Sequence, residues 1–331
     1  YPTAKKQWRF WSILLPALGL LPTIRGFTLL PNRSAAESFL AEAGPNRFPL
    51  AYSLKNSADC SQINSTNLNY ALGFDMPSLQ APVLARDSVD QILGPLRNNK
   101  EIVTLTLRQS QHVPERNSDL KTWAEISKYL LDCGYYVVLL PDYEQVITGQ
   151  TPEIPNVFVA KECVLNLHLR MALYEQAALN IIENGGPITL CMFNERCNYI
   201  VRRAIVPDAA GSSEKMTVQL GLAVDKDTSY FDTFARWTWH DGSADKVVMI
   251  CNEFRDKFGN SEVMRSDQPM TALDVFESLS TGLGRDVVNE IATNFVDGRN
   301  GPVFINRERT KDSEREKVIR TAYGKKFSGL V

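Results

Sequence analysis

Short apolar runs alternate with segments of helical spacing through the middle third of the chain, and this alternation constrains the fold more than any other feature. The β-branched run at 102–107 ends at Arg108 and predicts a first strand. Apolar residues recur with helical spacing over 118–132, where we expect a helix capped by Ser118. The continuous apolar run at 135–140 is typical of a strand covered on both faces. The order is therefore strand, helix, strand.

The alternation continues further along the chain. We predict a third strand at 156–160, a helix from 169 that Gly185 and Gly186 terminate, and a fourth strand at 188–193. Alternating strands and helices with nearly continuous apolar strands argue for a parallel Rossmann-like sheet, because crossover helices cover both of its faces. The predicted fold class is therefore α/β.

The flanking regions predict a smaller α/β unit upstream and an extension downstream. The upstream strands are expected at 26–30, 48–54 and 82–85, with a helix over 34–44 that opens on a capping box and a second helix that begins at 88–93. The downstream strands are expected at 217–224 and 234–239, the helices at 247–258, 272–281 and 286–296, and a solvated charged stretch at 306–326. We therefore divide the chain into residues 1–98, 99–210 and 211–331.

Residues 8–30 form the most apolar part of the chain, but Pro16 and Pro22 interrupt them. A helix that spans a bilayer needs about 20 uninterrupted apolar residues, and the longest clean run here is shorter. We expect buried strands and turns, with a membrane-associated segment as the alternative. The first residue, Tyr1, leaves open that an anchor or a domain precedes it.

The charge balance excludes a large class of partners. The chain has 36 basic and 38 acidic side chains and a net charge of −2, so it has no overall positive field with which to hold nucleic acid. An anion site would have to be local.

The cysteines and the absent motifs narrow the chemistry further. Six cysteines are scattered through apolar runs without the spacing of zinc ligands, so we expect core thiols in a reducing compartment. The sequence contains no G-x-G-x-x-G, no G-x-x-x-x-G-K-[ST], no G-x-S-x-G and no H-E-x-x-H. Dinucleotide oxidoreductases, P-loop NTPases, serine hydrolases and zincins therefore lose support.

Ligands of open parallel sheets lie outside the carboxyl ends of the strands. The predicted strand ends carry Arg108, Asp142, Glu162 and Asn194. These ends are therefore where a binding site is expected.

Arg108 follows the first strand directly, and Arg116 and Asn117 lead into the next helix. A phosphate between them would meet a guanidinium fork together with N–H groups at the start of a helix. The alternative is that Arg108 pairs with a carboxylate at the surface. Both interpretations stay open at this point.

Asp142 and Tyr143 end the second strand. A carboxylate there can accept hydrogen bonds from a ribose or a base, and a tyrosine can stack on the base. Turn chemistry after Pro141 explains Asp142 almost equally well.

Further polar residues have weaker support. Glu175 can receive ribose hydroxyls or can lie in solvent, and His112 can act as a base or bind an oxyanion. His168 and His240 are more often structural. Asp225 and Asp227 have the D-x-D form with which two carboxylates hold a divalent ion.

Taken together, the runs Ile102 to Arg108, Leu140-Pro141-Asp142, Ala172 to Ala178 and Gly186 to Leu190 resemble the nucleotide-sugar-binding half of GT-B glycosyltransferases. They are most similar to the fucosyltransferase-like branch. The resemblance covers about 100 residues. The doubled arginine followed by an acid that this branch carries after its first strand is replaced here by Gln109 and Ser110, which puts GDP-fucose as the donor in doubt.

The resemblance implies two Rossmann-like domains that face each other across a cleft, with extra carboxyl-terminal helices. Residues 1–98 would be the acceptor-side domain, residues 99–210 would bind the nucleotide sugar, and residues 211–331 would pack back on the core. The site implied by the resemblance consists of Arg108, Arg116, Asn117, Asp142, Tyr143, Glu175, Gly185 and Gly186. It requires no cofactor and no metal.

The implied activity is transfer of a sugar from a nucleotide diphosphate to a hydroxyl of a glycan or a lipid-linked acceptor, as in polysaccharide or glycoconjugate synthesis. The base is expected to be His112, Glu144 or Asp75. We expect a cytoplasmic protein that binds no nucleic acid, with association at the membrane periphery left open. The alternatives are a non-catalytic binding module, a sugar-nucleotide epimerase or hydrolase, and a metal-dependent transferase built on Asp225 and Asp227.

Overall fold

The computed structural model describes residues 4–44, 54, 66–67, 70–71, 76–207, 209, 211–260, 268–286 and 288. By contacts the chain divides into two compact units. The first unit contains Tyr1–Arg25, Met76–Ser213 and Asp225–Pro269, and the second contains Gly26–Asp75, Glu214–Val224 and Met270–Val331. The predicted division of the chain into domains at 1–98, 99–210 and 211–331 stays a prediction.

The first unit is built on a six-stranded parallel sheet. Its strands are β1 (Ile102–Thr106), β2 (Tyr136–Leu140), β3 (Phe158–Val159), β4 (Leu179–Glu183), β5 (Tyr199–Arg202) and β6 (Ala235–Trp237). They lie in the order β3-β2-β1-β4-β5-β6, with every neighbouring pair parallel. This is the order of a doubly wound α/β fold, in which the connections reverse direction between β1 and β4. The predicted α/β class with a Rossmann-like sheet is confirmed.

The helices of the first unit precede, connect and follow these strands. They are α1 (Ala4–Arg9), a π-helical turn (Phe10–Leu14), α2 (Leu15–Leu18), α4 (Val83–Arg97), a 3-10 turn (Pro114–Arg116), α5 (Leu120–Asp132), α6 (Tyr143–Thr148), α7 (Lys161–Leu165), α8 (Leu167–Gln176), α9 (Ile188–Met192) and α11 (Ala244–Gly259). The described helices of the second unit are α3 (Arg33–Ala43), α10 (Glu214–Gln219) and α12 (Ala272–Leu283).

The core of the first unit lies between the sheet and the helices that cover it. Every residue of β1 is buried, and Trp123 of α5 and Phe234 before β6 pack in the same cluster as Val103 and Leu105. Because both faces are covered, the strands show no alternation of polar and apolar residues. Polar side chains within the strands form hydrogen bonds across the sheet. The hydroxyl of Thr104 donates to Asn180 across β1 and β4 at 2.6 Å.

Most of the central predictions are confirmed. The strands predicted at 102–107, 135–140 and 156–160 are β1, β2 and β3, and the strand predicted at 234–239 contains β6. The helices predicted from 88, over 118–132, 247–258 and 272–281 are α4, α5, α11 and α12. The cap of α5 is Asp119, whose carboxylate accepts from the N–H groups of Lys121 and Thr122, and not Ser118.

The prediction around residues 179–193 was wrong in two places. Residues 179–183 form strand β4 instead of the end of a helix, and residues 188–192 form helix α9 instead of a strand. The helical spacing before β4 ends where Ala177 takes an extended backbone. Because all five residues of β4 are buried, no alternation separates it from a buried helix. Gly185 and Gly186 consequently connect β4 to α9 and do not end a helix.

The amino-terminal predictions were also partly wrong. Residues 8–30 were expected as buried strands and turns, but 8–18 are helical, and 26–30 have no regular structure and are exposed. The strand expected at 82–85 is the start of α4, because Pro82 occupies its N-cap and pre-sets the backbone. The strand expected at 48–54 lies outside the described residues except for residue 54.

In the second unit, the strand predicted at 217–224 was wrong, because 214–219 form α10. Gly282 of α12 lets α10 pack closely against α12. A Cβ at Gly282 would lie 2.6 Å from the Cα of Gln219, so only glycine fits. The helix predicted over 34–44 is α3, and Asn32 caps it by accepting from the N–H of Ala35 at 2.9 Å. The stretch at 306–326 and most of 286–296 lie outside the described residues.

The described cysteines support a chemical prediction. Cys163, Cys191, Cys197 and Cys251 are buried free thiols and Cys133 is half-buried. Burial raises the pKa of Cys163 and of Cys251 to about 12, so at pH 8 both are thiols and not the reactive thiolates. We expect a maleimide to leave these two residues unlabelled in the native protein and to label them after unfolding. Peptide mass spectrometry measures this, and native labelling of Cys163 would contradict the burial.

Candidate active site at the carboxyl edge of the sheet

The reversal between β1 and β4 places two loops side by side at the carboxyl edge of the sheet. One begins at Arg108, directly after β1, and the other runs through Asn184, Gly185 and Gly186 after β4. A Cβ built on Gly185 would lie 3.9 Å from Cδ of Arg108. Gly185 and Arg108, both predicted as site residues, are therefore neighbours in the crevice where doubly wound folds bind ligands, and Gly186 follows in the same loop.

Arg108 holds its own loop together. Its guanidinium donates from Nη1 to the carbonyl of Val113 at 3.0 Å and to Oδ1 of Asn117 at 2.6 Å, and from Nη2 to the carbonyl of His112 at 2.5 Å. The acceptors are carbonyl and amide oxygens, and not the surface carboxylate of the alternative interpretation. Phosphate binding by Arg108 stays a prediction. The loop is consequently folded around the positive charge, which stays at the edge of the sheet.

Asn117 is the second organiser of this loop. Its amide accepts from the N–H of Ser110 at 3.0 Å and donates to the carbonyl of Ser110 at 3.1 Å. Ser118 then ties the loop to both strands, because its hydroxyl accepts from the N–H of Arg108 at 2.9 Å and donates to Glu183 at 3.2 Å. The loop is therefore preorganised by its own polar groups.

Arg116 reaches across to the second loop. Its Nη2 donates to the carbonyl of Asn184 at 3.1 Å, immediately before Gly185. Among the residues that the structure describes, its buried Nε has no hydrogen-bond acceptor. Buried donors are nearly always satisfied in folded proteins, so this atom marks a place where an acceptor fits.

Arg202 and Arg203 at the end of β5 extend the positive charge, and they were missed in the sequence. Arg202 is 4% exposed and donates from Nη1 to the carboxylate of Glu183 at 2.5 Å and from Nε to the carbonyl of Gly242 at 2.6 Å. Arg203 donates to the carbonyl of Asn117 at 2.7 Å. The sequence did carry a signal for them. The apolar run at 199–201 ends in two arginines, just as the run at 102–107 that identified Arg108 ends in one.

Glu183, the last residue of β4, is the buried carboxylate among these arginines. Besides Arg202 and Ser118, it accepts from Nε1 of Trp123 at 3.1 Å. Its other oxygen lies 3.5 Å from Nε of Arg203, outside hydrogen-bond geometry. Glu183 thereby fixes one arginine and attracts a second.

The electrostatics of the edge favour an anion. Burial is the main reason that the pKa values of Arg108 and Arg116 lie below their ordinary value, and the charge of Arg203 lowers both further. Glu183 opposes this shift at both residues, and Asp142 opposes it at Arg108. Three guanidinium groups therefore repel one another at this edge, and an additional negative charge would stabilise them.

Asp142 acts as a cap, which is the alternative that turn chemistry predicted. Its carboxylate accepts from the N–H of Glu144 at 3.3 Å within a capping box of α6, and from the N–H of Gln109 at 2.9 Å. It therefore links the ends of β1 and β2. Tyr143 stacks on Trp8 with ring centroids 3.5 Å apart, so one face of this ring is covered by protein.

The two candidate bases lie by the same loop. His112 is exposed, and Glu144 accepts from the N–H of Gln111 at 3.4 Å. The third candidate, Asp75, lies outside the described residues. His112 and Glu144 are thus near the predicted phosphate-binding residues.

The structure does not bring Glu175 to this edge. It lies at the end of α8, just before β4, and therefore at the amino edge of the sheet. Its Oε1 accepts from the N–H of Ala81 and from Asn194, both at 2.9 Å, and its Oε2 lies 3.5 Å from Arg86. The solvated setting is therefore wrong, because the Glu175 side chain is 2% exposed. The ribose-binding role stays a prediction.

Asp227 of the D-x-D segment has partners within the protein. Asp227 is buried, accepts from the N–H of Trp237 at 2.9 Å and pairs with Arg236 at 3.4 Å. Within the described ranges, no group of three His, Cys, Asp or Glu side chains is placed to hold a metal ion. His168 is structural, since its Nε2 hydrogen-bonds the carbonyl of Pro16 at 2.7 Å.

Three solved structures resemble parts of this fold. One is ADP-heptose lipopolysaccharide heptosyltransferase II of Escherichia coli, with 14% identity, a TM-score of 0.39 and coverage of 55% of this chain and 54% of that chain. Another is a family 9 glycosyl transferase of Veillonella parvula, with 11% identity, a TM-score of 0.36 and coverage of 62% of this chain and 53% of that chain. The third is the UDP-GlcNAc 2-epimerase of Methanocaldococcus jannaschii, solved with UDP-GlcNAc and UDP, with 12% identity, a TM-score of 0.35 and coverage of 70% of this chain and 53% of that chain.

The chain spans about half the length of each of these structures. At this identity and superposition, none of them bears on the activity of this chain. No family model and no curated protein matches the sequence. In the part of the chain that the structure describes, no helix is long and apolar enough to cross a bilayer.

Proposed function

We propose that the carboxyl edge of the sheet binds the diphosphate of a nucleotide sugar and that the protein transfers the sugar to an acceptor hydroxyl. The observation that carries this proposal is the convergence of Arg108, Arg116 and Arg203 beside the Gly185-Gly186 loop. A diphosphate would add negative charge beside these guanidinium groups and supply an acceptor for Nε of Arg116, which has none among the described residues. The fucosyltransferase-like specificity implied by the sequence remains a prediction.

In this proposal the guanidinium groups act on the departing group. As the acceptor oxygen bonds to the anomeric carbon and the bond to the diphosphate breaks, negative charge grows on the diphosphate. Arg108 and Arg203 are fixed by hydrogen bonds to the 108–118 loop, so the site needs little reorganisation when that charge develops. The acceptor proton would pass to His112 or Glu144.

A thermal-shift screen against UDP-, GDP-, ADP- and CMP-sugars tests the binding step. A ligand at 100 times its dissociation constant adds about 2.7 kcal/mol to the free energy of unfolding, so one nucleotide series should raise the melting temperature and the others should not. A transfer assay with the ligand so identified then separates the alternatives. Binding without turnover would indicate a non-catalytic module, and release of free sugar or epimer without acceptor would indicate a hydrolase or epimerase.

The glycine loop gives a sharper test. Gly186 does not have a left-handed backbone, and nothing lies within 4 Å of a Cβ built on it, so Gly186→Ala should fold normally. If the diphosphate lies against this backbone, the added methyl group should weaken binding of the ligand found in the screen by about 1–3 kcal/mol.

Gly94 in α4 is the matched control, because a Cβ there also meets nothing within 4 Å. Gly94→Ala should leave nucleotide affinity unchanged. Equal affinity of Gly186→Ala and the wild type in calorimetry would place the diphosphate elsewhere.

A further inference from the structure

The amino-terminal segment, residues 4–25, contacts the rest of the first unit at several points. Trp8 stacks on Tyr143, His168 hydrogen-bonds the carbonyl of Pro16, and the carbonyl of Leu20 accepts from the N–H of Gln80 at 2.7 Å. Leu20 itself is buried. The segment is therefore attached to the sheet-bearing unit and is not a loose tail.

The same segment leaves large apolar side chains in solvent. Trp11 is 58% exposed and Leu14 is 61% exposed, and Ile13 and Ile24 are exposed as well. Apolar residues that cluster at the surface mark interaction sites more often than isolated ones do.

Basic residues accompany this apolar surface, and acidic residues do not. Lys5, Lys6, Arg9 and Arg25 lie in the segment, and the sequence contains no Asp or Glu before Glu37. Arg9 and Arg25 are exposed. Exposed tryptophan and leucine combined with exclusively basic charge is the composition of segments that lie in the interface of an anionic bilayer.

We propose that residues 4–25 dock the protein on an anionic lipid surface, with Trp11 and Leu14 entering the interfacial region and the exposed side chains of Arg9 and Arg25 meeting the headgroups. A second copy of the chain fits this surface less well. In a symmetric dimer the same surface would face itself, so Arg9 and Arg25 would oppose the same residues of the second copy without a carboxylate from the segment.

This inference goes beyond the proposed function and does not depend on it. The segment nevertheless adjoins the candidate site, because Tyr143, on which Trp8 stacks, directly follows the cap residue at the end of β2. Docking would consequently bring the carboxyl edge of the sheet close to the membrane surface.

Co-sedimentation with vesicles tests the proposal on the whole chain. We expect binding to vesicles of phosphatidylglycerol and phosphatidylcholine, binding at least about tenfold weaker to phosphatidylcholine alone, and a decrease with added salt. The double substitution Trp11→Ser with Leu14→Ser should weaken binding to the anionic vesicles by at least about tenfold. Both side chains are exposed, so the variant should retain the wild-type melting temperature.

Leu84→Ser is the matched control, because Leu84 is 79% exposed on α4, outside the segment. It should bind anionic vesicles as the wild type does. The proposal is overturned if the wild type does not sediment with anionic vesicles, if neutral vesicles bind it equally, or if the double variant binds as tightly as Leu84→Ser. A wild-type dimer in light scattering that the double variant abolishes would identify a second copy as the occupant and would also overturn it.

Discussion

Replacing Glu183 by glutamine is expected to lower the free energy of unfolding by about 3–5 kcal/mol, because it leaves the charge of a buried arginine uncompensated. Arg202 is 4% exposed and has Glu183 as its ion-pair partner. Ser118 and Trp123 lose a charged acceptor at the same time. Urea unfolding followed by circular dichroism measures the change, which is a large part of the 5–15 kcal/mol typical of a whole domain.

A control and a double variant isolate the cause. Glu115→Gln removes an exposed carboxylate from the 108–118 loop and should change stability by less than about 0.5 kcal/mol. Combining Glu183→Gln with Arg202→Met removes both charges and should recover a substantial part of the loss. If Glu183→Gln unfolds within about 0.5 kcal/mol of the wild type, the carboxylate is not the organiser of this edge.

The second large effect is expected on ligand affinity. Arg116→Ala should weaken binding of the nucleotide diphosphate found in the screen by about 1.5–3 kcal/mol, because a charge-assisted hydrogen bond to phosphate is lost. Arg116 is a cleaner test than Arg108, since Arg108 also holds the loop by three hydrogen bonds. Isothermal titration calorimetry measures the dissociation constants.

Arg196→Ala provides the matched change of charge. Arg196 is exposed and precedes β5, so it lies at the opposite edge of the sheet. Its replacement should leave affinity at the wild-type value at moderate salt, where charges more than about 10 Å apart are largely screened. Equal losses for Arg116→Ala and Arg196→Ala would mean that net charge, and not a local site, governs binding.

Much of the fold was predictable from the sequence because its signals are local. β1 is a run rich in β-branched residues that precedes Arg108, β2 is a continuous apolar run, and α5 has a clear helical spacing. β4 was not predictable in this way. All of its residues are buried, so periodicity alone cannot separate it from the end of the preceding helix. Its β-branched pair Ile181 and Ile182 was the remaining indication.

The candidate site was predictable only where a strand had been recognised. Arg108 and Arg116 were found from the end of β1, whereas Arg202 and Arg203 were missed because β5 was not assigned. Glu183 was missed because β4 was taken as part of a helix. Long-range pairing brings these residues together, and spacing along the chain carries no record of it.

Two polar residues show how local chemistry competes with function. Asp142 was predicted either to bind a nucleoside or to form a turn, and in the structure it caps α6 and fixes Gln109. Glu175 was expected inside a helix that continued to residue 184, whereas that helix ends at Gln176. Its partners Ala81 and Asn194 lie 94 and 19 positions away, beyond the reach of a local motif.

The most direct measurement is a crystal structure with the nucleotide diphosphate selected by the screen. We expect the two phosphates beside Gly185 and Gly186, with an oxygen about 2.7–3.2 Å from a guanidinium nitrogen of Arg116. A diphosphate bound at the amino edge of the sheet, or one that meets none of Arg108, Arg116 and Arg203, would contradict the account.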